Sequence, residues 1–306
     1  MPQTLFEFAP GLFSSASGSF WLPTLFTLFY LLTFLSEICR MKRDTVPVRR
    51  ISLTTLLTGF LLQTVWIVRS TFCAAPPAPL GAGLWFFVLA WALVLLNISL
   101  FFSYPKTPFA VFLLPAVFIA VAAGSALTGA RFPEAKLFLG AIHGLSLLAA
   151  SVFLLYGFVV GLMFFLQRKK IKSRTGFLRG IPLPSLEWLQ RANRLSSRLS
   201  LVLLGIGVLF GMVLRGTSPS GTFSGDMMIW GGIFLFLLMA VTLAAVSHSD
   251  QSRKDARLAV LNIIGFLILI FILGRGSLDS RAHWLFPSGE AGSPSAEHPT
   301  DEETSP

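Results

Sequence analysis

Apolar positions in this chain come in eight long runs, and the short stretches between them carry most of the charge. The runs cover roughly 17–38, 51–72, 83–103, 107–129, 136–167, 195–215, 226–247 and 257–274. A helix needs about 20 mainly apolar residues to cross the hydrocarbon core of a bilayer, so each run predicts one transmembrane helix. Pro23 and Pro115 fall inside predicted spans, where neighbouring helices can satisfy the carbonyls that a proline frees. The fifth run is longer than one bilayer needs. As a continuous helix from Lys136 to Gln167 it would measure roughly 48 Å, so it must tilt or protrude.

Composition supports the same class. With 54% hydrophobic and 12% charged residues, too few charges exist to clothe a soluble chain of this size. The 30 phenylalanines cluster in the apolar runs rather than alternating with polar residues. A net charge of +10 would suit nucleic acid if it formed a patch, but here it sits in short loops where topology signals belong, and no nucleic-acid partner is expected. Eighteen of the 24 Lys and Arg residues fall in the first, third, fifth and seventh connections, nine of them between Arg168 and Arg198. Only Arg69, Arg131, Lys136, Arg215, Arg275 and Arg281 lie on the other side. Basic loops stay in the cytoplasm, so both termini are expected outside.

The predicted fold is all-α, a polytopic membrane helix bundle of about eight transmembrane helices. Residues 1–16 form an outer N-terminal segment, and 17–135 hold four helices. Four more occupy 136–286, and 287–306 read as a disordered acidic tail. In the fifth connection, Pro182-Leu183-Pro184-Ser185-Leu186-Glu187-Trp188-Leu189 reads as a helix start, with Ser185 as cap and Leu186, Trp188 and Leu189 as an apolar side. It predicts a short amphipathic helix at the cytoplasmic interface. The preceding Arg168-Lys169-Lys170-Ile171-Lys172 is a basic anchor suited to anionic lipid. Cys39 and Cys73 fall on opposite faces, which disfavours a disulfide.

Phosphate loops, zinc spacings and hydrolase elbows are absent from the sequence. Carboxylates are scarce in the spans, with Asp226 near a span start on the outer side, which disfavours an intramembrane proton relay. Histidine is the remaining chemistry. On this topology His143 and His283 lie towards the outer side, whereas His248 and His298 read as solvated. Two neutral imidazoles can ligate a haem iron from opposite faces. Each equally suits a hydrogen-bonded residue near a helix end.

Three stretches resemble the cytochrome c assembly family, the CcsA, CcmC and HemX-like haem-handling membrane proteins. The first opens on Ile142-His143-Gly144, passes Tyr156-Gly157-Phe158 and ends Phe165-Leu166-Gln167-Arg168-Lys169-Lys170. Leu183-Pro184-Ser185-Leu186-Glu187-Trp188-Leu189 is similar to the family's linker, before a glycine-rich span ending Gly205-Ile206-Gly207-Val208-Leu209-Phe210-Gly211. The last is Ala256-Arg257-Leu258-Ala259-Val260-Leu261-Asn262-Ile263-Ile264-Gly265-Phe266. The resemblance covers roughly 136–290. It implies haem b held on the outer (periplasmic) face of a bacterial inner membrane, with His143 and His283 as axial ligands. Where the family carries a tryptophan-rich loop, 215–226 holds no tryptophan, leaving Phe223, Asp226 and Trp230 as the contacts available there. Trp284 can pack on the porphyrin, and Arg275 and Arg281 can pair with its propionates. The expected role is to bind or relay haem in cytochrome c biogenesis, without independent catalysis, beside other assembly subunits and apocytochrome c. The alternative is a HemX-like scaffold or regulator of haem biosynthesis.

The charge bias yields a first test. Reporter fusions at Gly180 and at the C-terminus should report opposite sides of the membrane; both on one side would defeat the topology.

Overall fold

A computed structural model describes residues 18–42, 44–72, 82–127, 137–172, 182–216, 227–247 and 251–285, with side chains near the C-terminus only as far as Leu273. Among the described residues eight helices follow one another: α1 (Gly18–Lys42), α2 (Val46–Phe72), α3 (Ala82–Ser103), α4 (Ala110–Ala126), α5 (Leu137–Lys172), α6 (Leu186–Gly216), α7 (Met227–Ser247) and α8 (Gln251–Leu285). No strand occurs among the described residues. Seven of these helices are long and apolar enough to cross a membrane. A chain whose solvent is hydrocarbon must satisfy its backbone internally, and helices do so within one segment.

The expected fourth span is the short one. Residues 107–109 are used in a turn, where the Thr107 amide donates to the Tyr104 carbonyl at 3.0 Å and the Phe109 amide to the Thr107 carbonyl at 3.0 Å. Helix α4 therefore has 17 residues and is about 26 Å long, just under a hydrocarbon core of about 30 Å. Helix α5, with 36 residues, reaches about 54 Å and overshoots that core, as the length of the fifth run predicts.

Helices α1–α4 pack among themselves, as do α5–α8, and α5 joins the two groups through α3 and α4. Four connections meet at one end of the bundle. Arg40 Nη2 donates to the Pro105 carbonyl at 2.6 Å, Trp188 Nε1 donates to the Tyr104 hydroxyl, and Arg194 lies 3.6 Å from Asp255. These contacts bring together the connections that carry the basic excess, hereafter the basic end. Leu28, Leu61, Ile119, Val202, Phe234 and Phe271 stand more than half exposed on the flanks, a surface that lipid would solvate.

Between helices, polar side chains supply specific contacts. Asn262 Nδ2 on α8 donates to Asn193 Oδ1 at 2.9 Å and to Ser196 Oγ at 3.2 Å, and Ser197 donates to Asn262 Oδ1 at 2.9 Å. On the other side, the Tyr30 hydroxyl donates to Gln63, whose Nε2 donates to the Phe87 carbonyl at 3.0 Å, tying α1, α2 and α3. The sequence reading overlooked one ionic cluster. Glu37 and Arg40 are buried side by side at 2.7 Å, with Ser52 also donating to Glu37. Removing one partner of such a pair strands the other charge, at about 3–5 kcal/mol.

The linker helix differs from expectation in one respect. Ser185 does cap it, its Oγ accepting from the Trp188 amide at 3.4 Å. The helix does not stop at the interface, however, and runs unbroken from Leu186 to Gly216. Its apolar start is buried against protein: Leu189 is fully buried, and Trp188 packs on Tyr104 and Phe109 with ring centroids 4.6 and 5.6 Å away. Trp188→Ala should lower stability by about 2 kcal/mol and Tyr104→Phe by about 1 kcal/mol, read as thermal unfolding in detergent. An unchanged transition in Trp188→Ala would refute this docking.

Candidate functional site

Helix α5 opens at the end opposite the basic one, with His143 nearly two turns after its start at Leu137. Residues one apart on a helix face different neighbours, and Ile142-His143-Gly144 uses this. At Gly144 an added Cβ would sit 2.6 Å from the Trp85 ring of α3, so only glycine admits that indole. His143 faces the glycine-rich part of α6. A Cβ at Gly211 would lie 2.6 Å from His143 Cε1, and one at Gly207 would lie 2.5 Å from Leu147. The imidazole fills the notch that two missing side chains leave.

Within that notch the ring has one defined bond. His143 Nδ1 lies 2.7 Å from the Gly207 carbonyl oxygen. A carbonyl only accepts, so Nδ1 carries the proton and donates it. In the neutral ring Nε2 then bears a lone pair, and it has no hydrogen-bond partner among the described residues. Metal-ligating histidines have this arrangement: a backbone carbonyl on one nitrogen fixes the tautomer and leaves the other for the metal.

Contacts fix the relative register of the last four helices. Gly157 meets Ser196 and Asn262, Gly161 meets Ala259, Gly232 meets Val208, and Gly231 meets Ile272. Continued to the far end, this antiparallel register places His143, Gly211, Trp230 and Arg275 within about a turn of one level. Trp230 is 58% exposed on α7. Arg275, Arg281, His283 and Trp284 lie on the helical backbone of α8, with side chains outside the described residues, and Asp226 lies wholly outside them. Helix α8 continues to Leu285, past the expected span end at 274, so His283 is carried on a helix rather than on an extended stretch free to fold back. The register sets it about two turns beyond His143. No group of three or more His, Cys, Asp or Glu suited to a metal occurs among the described residues.

Comparison with known proteins returns no matching family model, no matching curated protein and no matching solved structure.

Sequence reasoning missed the buried polar seam. Asn193, Ser196, Ser197 and Ser200 are all fully buried, and their spacing is that of one helical face. A polar stripe running from the linker into the sixth span at that spacing is the available signal. Asp255, also buried, lies in the seventh connection of the predicted topology.

The notch makes a paired prediction. Gly211→Ala should displace the imidazole and cost about 1–3 kcal/mol, whereas Gly216→Ala, where an added Cβ meets nothing within 4 Å, should be neutral. In a His143→Ala background the cost of Gly211→Ala should largely vanish. Thermal unfolding of the four variants measures this. A cost that persists without the imidazole would place the clash elsewhere.

Proposed function

We propose that this membrane protein binds or relays haem in cytochrome c biogenesis, with His143 as an axial ligand. The observation that carries the reading is the His143 ring: Nδ1 donates to the Gly207 carbonyl at 2.7 Å, and Nε2 is left with no partner among the described residues. That donor set fits a haem ligand. Haem, if bound, would supply an iron that an imidazole nitrogen such as Nε2 can ligate. The chain's own part is to hold the imidazole in one tautomer and against rotation, through the carbonyl of Gly207 and the wall at Gly211. His283 is the proposed second ligand, and Arg275 and Arg281 the proposed propionate partners. The proposed setting is a bacterial inner membrane, with the His143 end outward and apocytochrome c and other assembly subunits as partners.

A second reading has one sequence feature in its favour. The absence of tryptophan from 215–226 suits a HemX-like scaffold or regulator of haem biosynthesis that binds no haem itself. One absorption experiment separates the two. Protein purified in detergent from haem-replete cells should show a low-spin Soret band. His143→Ala should abolish it, and added imidazole should partly restore it. His283→Ala should do the same, and the double variant should be no worse than either single one. Colourless wild-type protein would favour the scaffold. An unchanged low-spin spectrum in the double variant would show that haem is held elsewhere.

A further inference from the structure

At the basic end, α5 leaves the bundle as a cationic stripe. Phe165, Arg168, Lys169 and Lys172 line an open concavity of about 420 Å³. Their spacing is that of one helix face, so the four side chains stack in a column with the aromatic ring towards the spans and the cations beyond it. Leu166 is the last apolar residue before the polar run, so the stripe crosses the level where hydrocarbon gives way to headgroups.

Helix ends in membranes commonly carry Lys and Arg that only mark the boundary. Three features describe what this stripe offers a ligand. Some cations at the same end are paired, Arg40 with Glu37, Arg191 with Glu187 and Arg194 with Asp255; among the described residues no carboxylate lies within ion-pair distance of Arg168, Lys169 or Lys172, nor of Arg49, Arg50, Lys106 or Arg198. The Arg168 guanidinium is held over the Phe164 ring at 5.7 Å, which orders a side chain that would otherwise sweep through water. Lastly, the cations and the Phe165 ring together border one open, shallow hollow on α5.

We infer that this column is a binding site for an anionic phospholipid, its headgroup phosphate among Arg168, Lys169 and Lys172 and its glycerol and upper acyl chain against Phe165. The amphiphile matches the site in order and in length. From Phe165 to Lys172 the helix rises about 10 Å, enough to traverse one headgroup layer. Basic pockets at this depth attract anionic headgroups, and three cations at the usual strength amount to a roughly hundredfold preference over a zwitterionic lipid.

The full chain in detergent is titrated with phosphatidylglycerol, with phosphatidylcholine, and with soluble glycerol phosphate. Bound lipid is read by native mass spectrometry and stabilisation by thermal unfolding. The wild type should retain and be stabilised by phosphatidylglycerol alone. R168Q/K169Q/K172Q should bind it roughly a hundredfold more weakly, while R50Q/K106Q/R191Q, which removes equal charge from the same end, should lose little. Where the first triple variant fails to fold, K169Q/K172Q changes only exposed side chains and should still lose about tenfold or more. Equal losses in the two triple variants would reduce the effect to diffuse charge and overturn the site. So would stabilisation by glycerol phosphate equal to that by the lipid, or no preference for phosphatidylglycerol over phosphatidylcholine.

Discussion

Close approach along α5 is the constraint on which the rest of the bundle depends. In lipid, apolar side chains gain little by leaving the solvent, so helices associate through tight packing and interhelical hydrogen bonds. Helix α5 is the one that touches α3, α4, α6 and α8, and glycines set its distance to three of them. At Gly157 an added Cβ would fall 2.7 Å from both Asn262 Cγ and Ser196 Oγ, at Gly161 it would fall 2.9 Å from the Ala259 carbonyl, and at Gly144 it would strike Trp85. Without these gaps Asn262 could not reach Asn193 and Ser197, and the polar seam between α6 and α8 would not close. Such a seam adds about 0.6 kcal/mol per bond in a membrane setting. Its greater effect is on register, because amides and hydroxyls pair at one alignment only.

That register decides what lies beside His143. Fixing Asn262 against Asn193 and Gly161 against Ala259 aligns α5, α6 and α8 near the basic end, and rigid helices carry the alignment across to the far one. There Gly207 and Gly211 come opposite Leu147 and His143. The imidazole's tautomer is thus a consequence of contacts some four turns away. A one-residue slip of α6 would turn Gly211 off the ring and remove the Gly207 carbonyl from Nδ1.

The spans were legible in the sequence because hydropathy sums over about 20 residues and tolerates local error. Loop grouping was legible for a similar reason, since charge bias adds up over many residues. Single-residue events were not. Glu37 and Arg40 lie within or beside the first apolar run, where averaging hides one buried pair. The end of α8 was misjudged because Arg275, Asp279 and Arg281 lower the hydropathy without breaking a helix; hydropathy measures where lipid ends, not where the hydrogen-bond ladder does. The linker was half legible. Ser185 advertised the helix start, but continuity with the span depends on Leu189 and Trp188 finding the α3–α4 turn, a tertiary contact. His143 was found as a residue, whereas its bond to Gly207 spans 64 positions and lies beyond any local pattern.

The two ends of the bundle are built differently, and the difference bears on function. Around the basic end lie the Glu37–Arg40–Ser52 cluster, the Trp188–Tyr104 bond, and the Arg194–Asp255 contact. At the far end, Trp85 meets Gly144 and His143 bonds the Gly207 carbonyl, while Phe26, Trp66 and Phe87 cluster between α1, α2 and α3. Opening the basic end would strand charges in a low dielectric, at several kcal/mol each. Separating α5 from α6 near His143 breaks one hydrogen bond to a backbone carbonyl and uncovers glycine, and it strands no ion pair. On the proposed haem-handling reading, the locked basic end would hold α5 in place while its far end parts from α6.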